Sequence, residues 1–385
     1  MNKSILWKLF TGTMILGLVL SACAGKAAAP VQKFTSASGF VCPEPFKRFD
    51  IGSDGNVLVC CGHWLPTSIG NFIKDPVDSV LNSEKAQQLR RSVTDGTYQY
   101  CNHLDCASMI HDRLLPHDNV ADADIEHAIK FQDFRVKRVE QVLFALDQSC
   151  NLSCPSCRRE QIMEKTSDVQ EKAEAVEQKL VPMLPHVATL NLNSAGELFA
   201  SKPSRRLLEL IDDVKFPDLK LQIISNGTLF NEKEWNKFPG IHKKIQWVRI
   251  SIDAARPRTF EKLRRLGIHA IFLDNIRFLK RLRQEGVIPQ LIFSFTYQLD
   301  NFREMAEFVE FARDMLCDRI VFERLQNLGT FTHEEFLERA VHQIEHRLHR
   351  EFLQVLNNPI FLSGDVWQDF DDMLVNSTVL EQATV

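Results

Sequence analysis

Three cysteines fall within eight residues at Cys150-Asn151-Leu152-Ser153-Cys154-Pro155-Ser156-Cys157, directly after the apolar run Val142-Leu143-Phe144-Ala145-Leu146. The run reads as a buried strand, and the C-x3-C-x2-C spacing puts three thiolates on one tight loop at its end. Three sulfurs on one loop suit an iron-sulfur cubane, which takes up to four ligands. If the protein supplies only three, one iron keeps a position open for a small molecule.

The rest of the composition narrows the setting. The chain has 385 residues, 44% of them hydrophobic and 25% charged, which is enough for about two globular domains with an ample core. A net charge of -4 and a pI near 6.3 lack the clustered basic excess of a nucleic-acid binder. The basic pairs Arg158-Arg159 and Arg264-Arg265 read as solvated or locally ion-paired faces. Ten cysteines are too many for indifferent core residues and too unevenly spread for a disulfide scaffold of this size. Cys23 stands near the start, Cys42, Cys60, Cys61, Cys101 and Cys106 form one group, Cys150, Cys154 and Cys157 another, and Cys317 reads as a lone core thiol. Metal ligation in a reducing compartment is the natural reading.

The first residues pull the other way. Residues 1–23 place Lys3 and Lys8 ahead of a short apolar stretch, Thr13 to Leu20, that ends in Leu20-Ser21-Ala22-Cys23. The stretch is shorter than the roughly 20 residues of a spanning helix and has the layout of a signal segment. Leu20-Ser21-Ala22-Cys23 also resembles a bacterial lipobox, which implies lipidation and membrane attachment at Cys23. Residues 24–39, rich in Ala, Lys, Ser and Pro, read as a flexible tether. Thiolate-cluster chemistry favours the cytoplasm, whereas the leader favours a membrane-anchored lipoprotein.

A small cysteine-rich domain is expected at 40–110. Asp54-Gly55 between two apolar runs signals a hairpin, because its turn needs the positive φ that glycine supplies. The hairpin brings Cys42 and Cys60 together, and a helix over 77–92 leads to Cys101-Asn102-His103-Leu104-Asp105-Cys106. From spacing alone, Cys42, Cys60, Cys101 and Cys106 suit zinc or an iron-sulfur cluster. Cys61 reads as structural, and His63 and His103 as polar surface residues.

From 136 to 330, short β-type runs at 142–146, 189–193, 221–224, 247–252, 291–296 and 319–322 alternate with helical patterns. That alternation defines parallel βα units. The expected fold is α/β: a partial (β/α)6 TIM-like barrel preceded by the cysteine-rich domain, with a helical extension over 331–385. A capping box at 167–170 opens one helix, with a stripe at Val169, Ala173, Val176 and Leu180, and Met305, Phe308, Val309 and Ala312 stripe another. Ligands of such barrels collect where strands end. There the sequence places the three-cysteine loop, Gly196-Glu197, Ser225-Asn226-Gly227-Thr228, and Ser251 with Asp253.

These strand-end motifs, in this order, resemble the radical SAM superfamily. Cys42-Pro43, Ile51, Asp54-Gly55, Val57, Cys60-Cys61, Gly70-Asn71, Leu89-Arg90 and Cys101 to Cys106 resemble the SPASM auxiliary-cluster module. The module here precedes the barrel it usually follows. Ser156 stands where many members have an aromatic residue, and Ala195-Gly196-Glu197 replaces the commoner Gly-Gly-Glu. The resemblance implies a [4Fe-4S] cluster held by Cys150, Cys154 and Cys157, with S-adenosylmethionine chelated at its open iron. It implies reductive cleavage to a 5'-deoxyadenosyl radical that abstracts hydrogen from substrate. Gly196 and Glu197 would receive the methionine amino group, Ser251 and Asp253 the ribose hydroxyls, and Arg264 or Arg265 the carboxylate, with Ser225 and Asn226 lining the same site. Cys42, Cys60, Cys101 and Cys106 would hold a second, auxiliary [4Fe-4S] cluster. A peptide or protein substrate is implied, with reduced ferredoxin or flavodoxin as electron donor. The alternatives are a small-molecule substrate such as a tetrapyrrole or sugar, a non-catalytic iron-sulfur carrier or sensor, and a zinc-stapled lipoprotein.

Overall fold

The computed structural model describes residues 39–370 except 105, 111, 112 and 194. The signal segment, Cys23, the tether up to residue 38 and residues 371–385 lie outside the described residues. Contacts divide the chain into two compact units. One comprises the residues up to Gln148 with 164–195 and 202–220, the other 149–163, 196–201 and the chain from 221 onward.

In the first unit, β1 (Arg48–Ile51) and β2 (Asn56–Leu58) form the expected hairpin, with Asp50 opposite Leu58 and Ile51 opposite Val57. Gly55 takes φ +79° in its turn, and a Cβ there would lie 2.8 Å from Asn71 Oδ1. β3 (Gly70–Asn71) adds antiparallel to β2, while β1 runs parallel to β4 (Gln141–Phe144) and β4 parallel to β5 (Thr189–Leu192). The helix expected over 77–92 is broken into Val77–Leu81 and Glu84–Thr94. The Asn82 side chain bonds the Val136 backbone in both directions at 2.9 Å, and Ser83 Oγ caps the second helix at Ala86 N. Such short polar side chains compete with helical hydrogen bonds. The capping box expected at 167–170 does not form either. The helix Thr166–Ala175 starts before it, and Ser167 turns its hydroxyl to Asp168. The stripe itself is buried as expected.

Arg90 is wholly buried and ties this unit together. Nε donates to Pro45 O at 2.8 Å, Nη1 to Phe134 O at 3.0 Å and Nη2 to Leu81 O at 2.9 Å. Burial pulls its guanidinium down to about 10. Arg90→Met would leave those carbonyls without donors, at about 1–3 kcal/mol each. Urea melting is expected to show a destabilisation of that order, and bound iron to fall because Pro45 lies three residues from Cys42.

In the second unit, β6 (Lys220–Ser225), β7 (Ile245–Ser251), β8 (Leu291–Tyr297), β9 (Arg319–Arg324) and β10 (Val366–Gln368) are consecutive parallel neighbours. All six expected strands therefore form, together with the α/β class and the parallel βα succession of a partial TIM-like barrel. The segment from 331 contributes more than helices. After His333–Arg339 and His349–Leu356 it supplies β10, where Ile320 pairs with Val366. The helix Met305–Asp314 buries Met305, Phe308, Val309 and Ala312, and Cys317 is a buried thiol. Among the described residues no helix is long and apolar enough to cross a membrane.

Candidate iron-sulfur and cofactor sites

In the first unit, Cys42, Cys60, Cys101 and Cys106 line one cavity with Trp64 and Tyr98. Cys42 stands between the strand Phe40–Val41 and the helix Glu44–Lys47, and Cys60 follows β2. Cys101 and Cys106 are held by turn bonds, Cys101 N to Tyr98 O at 2.9 Å and Cys106 N to Asn102 O at 3.0 Å. Burial pushes the thiols of Cys42 and Cys60 up, and that of Cys101 to about 12. Arg48, itself paired to Asp50 at 2.7 Å, opposes the shift at Cys60 with its charge. Cys61 does not line the cavity, His103 Nε2 bonds Tyr98 O at 3.0 Å, and His63 is exposed, in keeping with the roles expected for each. Four cysteines around one cavity are a donor set that an iron-sulfur cluster or a tetrahedral metal site can use.

The second unit holds the 150–157 loop. Cys150 N donates to Ile162 O, and Cys157 N and Arg158 N both donate to Cys154 O, each at 2.9 Å, which curls the loop around its own sulfurs. Each sulfur has its own donor. Asn226 Nδ2 lies 3.8 Å from Cys150 Sγ, Arg264 Nη1 3.7 Å from Cys154 Sγ and Arg158 Nη2 3.5 Å from Cys157 Sγ. Arg158 is therefore no solvated face: it is 7% exposed and lies against the thiols. Burial, and after it the Glu197 charge, push the Cys150 thiol up to about 12, whereas Arg158 opposes this. Burial also raises Cys154 against the pull of Arg264. Metal ligation requires thiolates, so binding here must release protons. A pocket of three thiols faced by two guanidinium groups and an amide fits an anionic thiolate-ligated cluster.

Glu197 is 1% exposed and organises the next two motifs. Its carboxylate accepts from Ser225 Oγ and from Asn226 N, each at 2.7 Å. Burial raises its pKa and these bonds pull it back. Glu197 N in turn donates to Ser149 O at 2.9 Å, beside the half-buried Gly196. Asn226 also donates to Asn151 Oδ1 at 3.0 Å, and Asn151 to Thr228 Oγ1 at 2.8 Å, so the strand-end turn grips the cysteine loop. Gly227 takes φ +75° there, and a Cβ on it would lie 2.9 Å from Ile250. The sequence signal for this grip was the Asn-Gly turn, while the roles of Asn151 and Arg158 carried none.

Ser251 ends β7 with its hydroxyl 3.4 Å from Ser294 Oγ. On the same face of β7, Arg249 is buried and paired with Glu323 of β9. Asp253 has φ +63°, accepts from Thr296 N at 2.8 Å and pairs with Arg264 Nη2 at 2.8 Å. The two arginines separate here. Arg264 faces Asp253 and Cys154, whereas Arg265 donates to Ser153 O at 2.6 Å, Arg159 O at 2.9 Å and Arg158 O at 3.2 Å. Arg265 thus supports the loop backbone.

Residues 42–107 match the model of the SPASM family, described as an iron-sulfur cluster-binding domain. No curated protein matches the chain. Among solved structures, the chain is similar to SuiB of Streptococcus suis bound to precursor peptide SuiA, at 13% identity and TM-score 0.42 over 80% of this chain and 67% of that one. It is also similar to anSMEcpe with bound AdoMet and Kp18Cys peptide, at 13% identity and TM-score 0.37 over 63% and 66%. A radical SAM methyltransferase from Sphaerobacter thermophilus is similar at 12% identity and TM-score 0.35 over 59% and 64%. The family-model match agrees with the SPASM resemblance read from the sequence at residues 42–107.

Proposed function

We propose that this chain is a radical SAM enzyme acting on a peptide or protein. Cys150, Cys154 and Cys157 hold its catalytic cluster, and Cys42, Cys60, Cys101 and Cys106 an auxiliary one. The observation that carries the reading is the set of three thiols on one loop, each with its own charged or amide donor. When bound, the cluster and S-adenosylmethionine supply a one-electron cleavage that yields a carbon radical able to take hydrogen from substrate.

The chain's own residues supply placement. Asn226 and Arg264 reach the sulfurs of Cys150 and Cys154 and so orient the loop. Both Glu197 oxygens are engaged by Ser225 and Asn226, so Glu197 acts through those residues, and the neighbouring backbone at Gly196 is what remains to receive an ammonium group. Ser251 and Asp253 offer short polar side chains to a ribose, and Arg264 a guanidinium to a carboxylate. Buried surroundings keep water from this site. A peptide substrate is what the resemblance of residues 42–107 to the SPASM module implies.

Anaerobic purification with counts of iron, sulfide and zinc is expected to give about eight irons per chain and no zinc. The reduced protein with S-adenosylmethionine should yield 5'-deoxyadenosine. With deuterated peptides that product should gain one mass unit. Label gained from deuterated sugars or tetrapyrroles instead would move the substrate to a small molecule. Zinc without acid-labile sulfide would overturn the reading.

A further inference from the structure

We propose that the turn at 264–268 and the first turn of the helix His269–Gln284 form a docking surface for a small acidic one-electron carrier protein, which reduces the cluster of the 150–157 loop. This rests on the cluster assignment made above. The carrier gives up one electron, the oxidised cluster gains it, and no bond to the protein is made or broken.

The surface is apolar where folding gives no reason for it. Leu266, Ile268 and Ile271 are 64%, 56% and 52% exposed, and they follow one another along the turn, the N-cap and the first helical turn. Leu266 also takes φ +74°, a left-handed conformation that a bulky side chain adopts at a cost and a glycine would adopt freely. A residue both strained and exposed points to use by a partner.

The same turn lies directly on the cysteine loop. Arg265 O accepts from Ser153 N at 3.1 Å, and Arg265 Nε donates to Ser153 O. A Cβ on Gly267 would lie 3.5 Å from Leu152. Leu152 and Ser153 lie between Cys150 and Cys154, so one hydrogen bond separates the exposed turn from the residue that precedes Cys154.

Charge selects the partner. In a chain of net charge -4, residues 256–265 carry Arg256, Arg258, Lys262, Arg264 and Arg265 against the single acid Glu261. Arg256 pairs with Glu307, Lys262 with Asp300 and Arg264 with Asp253. Arg265 bonds only backbone carbonyls, as does Arg159 through Thr330 O. Arg258 is exposed, and none of Arg159, Arg258 and Arg265 has an ion pair among the described residues. Glu261 caps the helix at His269 N, and an apolar patch flanked by Arg265, its hydrogen-bonded neighbour Arg159 and the basic 256–265 segment fits an acidic protein carrier.

The test uses the full chain, reconstituted anaerobically, with flavodoxin hydroquinone as the probe carrier and stopped-flow bleaching of the cluster as the readout. In L266E/I268E the flavodoxin rate is expected to fall about tenfold or more, and in R258E about threefold. The wild-type rate should fall as salt rises. Dithionite, too small to need the surface, should reduce all three proteins at rates within about twofold. Equal losses with both reductants, a flavodoxin rate indifferent to the variants, or pairing of wild-type chains through the patch in sedimentation would each overturn the proposal. Because S-adenosylmethionine is absent from the assay, a protein that accepts electrons here but never forms 5'-deoxyadenosine would overturn the enzyme reading and leave this surface standing.

Discussion

Replacing Cys150, Cys154 and Cys157 together by alanine is expected to abolish 5'-deoxyadenosine formation by dithionite-reduced protein and to remove about four irons per chain. Among the described residues, the side chains that donate to these thiols are Asn226, Arg158 and Arg264, which cannot ligate iron. The nearby carboxylates are already engaged, Glu197 by Ser225 and Asn226 and Asp253 by Arg264 and Thr296 N. The iron left behind should be that of Cys42, Cys60, Cys101 and Cys106, whose cavity lies in the other unit. Iron analysis and product chromatography on the same sample check both halves. Persisting 5'-deoxyadenosine, or complete loss of iron, would sink the assignment of two separate clusters. Cys317→Ala is the control: its thiol is buried against Leu291 O and Arg319 O, away from the loop's donors, and should leave iron content unchanged.

How much of this was legible in the sequence depends on the range of the interaction. The strands at 189–192 and 319–324 were readable because β-type runs and turn signals are local. The break at Asn82-Ser83 was not, since Asn82 leaves the helix for Val136, 54 residues away. Nor was β10, a three-residue strand defined only by its pairing with β9. In the site, the cysteines, Glu197, Ser225, Asn226, Ser251 and Asp253 stand at strand ends in sequence, and all lie in the same compact unit. Arg158 looked like half of an ordinary basic pair. Its burial against thiols depends on the curl of the loop at Cys154 O, which no composition rule reports.

The distinction between Arg264 and Arg265 is of the same kind, and it bears on electron entry as well as cofactor binding. Adjacent residues on a chain leaving a helix point to different sides. After the helix Pro257–Leu263, Arg264 is turned to Asp253 and Cys154, and Arg265 to the outer backbone of the same cysteine loop. The loop is therefore clamped from two sides by consecutive guanidinium groups. One clamp is electrostatic and near the sulfurs. The other is a set of bonds to carbonyls beneath the exposed Leu266 turn.

Arg264→Ala is expected to be the most destabilising single substitution in the site, by about 3–5 kcal/mol, because it strands a buried partner. The side chains of Arg264 and Asp253 are 11% and 5% exposed and 2.8 Å apart. Burial lowers the Arg264 pKa, and Asp253, then Cys154, more than restore it, so the guanidinium stays charged and its loss removes a real countercharge. Asp253 would keep its bond from Thr296 N, which orients the carboxylate without neutralising it. Arg264→Lys should recover much of the stability, since a point charge still meets Asp253, but it loses the planar fork that reaches Cys154 as well. Adding Asp253→Asn to Arg264→Ala should also recover part of the loss, because the stranded charge disappears with it. Urea denaturation of the four proteins, beside S-adenosylmethionine titrations, separates the roles. Stability recovered in Arg264→Lys with cofactor affinity still low assigns Arg264 to the cofactor carboxylate, whereas joint recovery makes it a loop clamp alone. A loss below about 1 kcal/mol in Arg264→Ala would mean that water reaches Asp253 and that the pair is effectively a surface one.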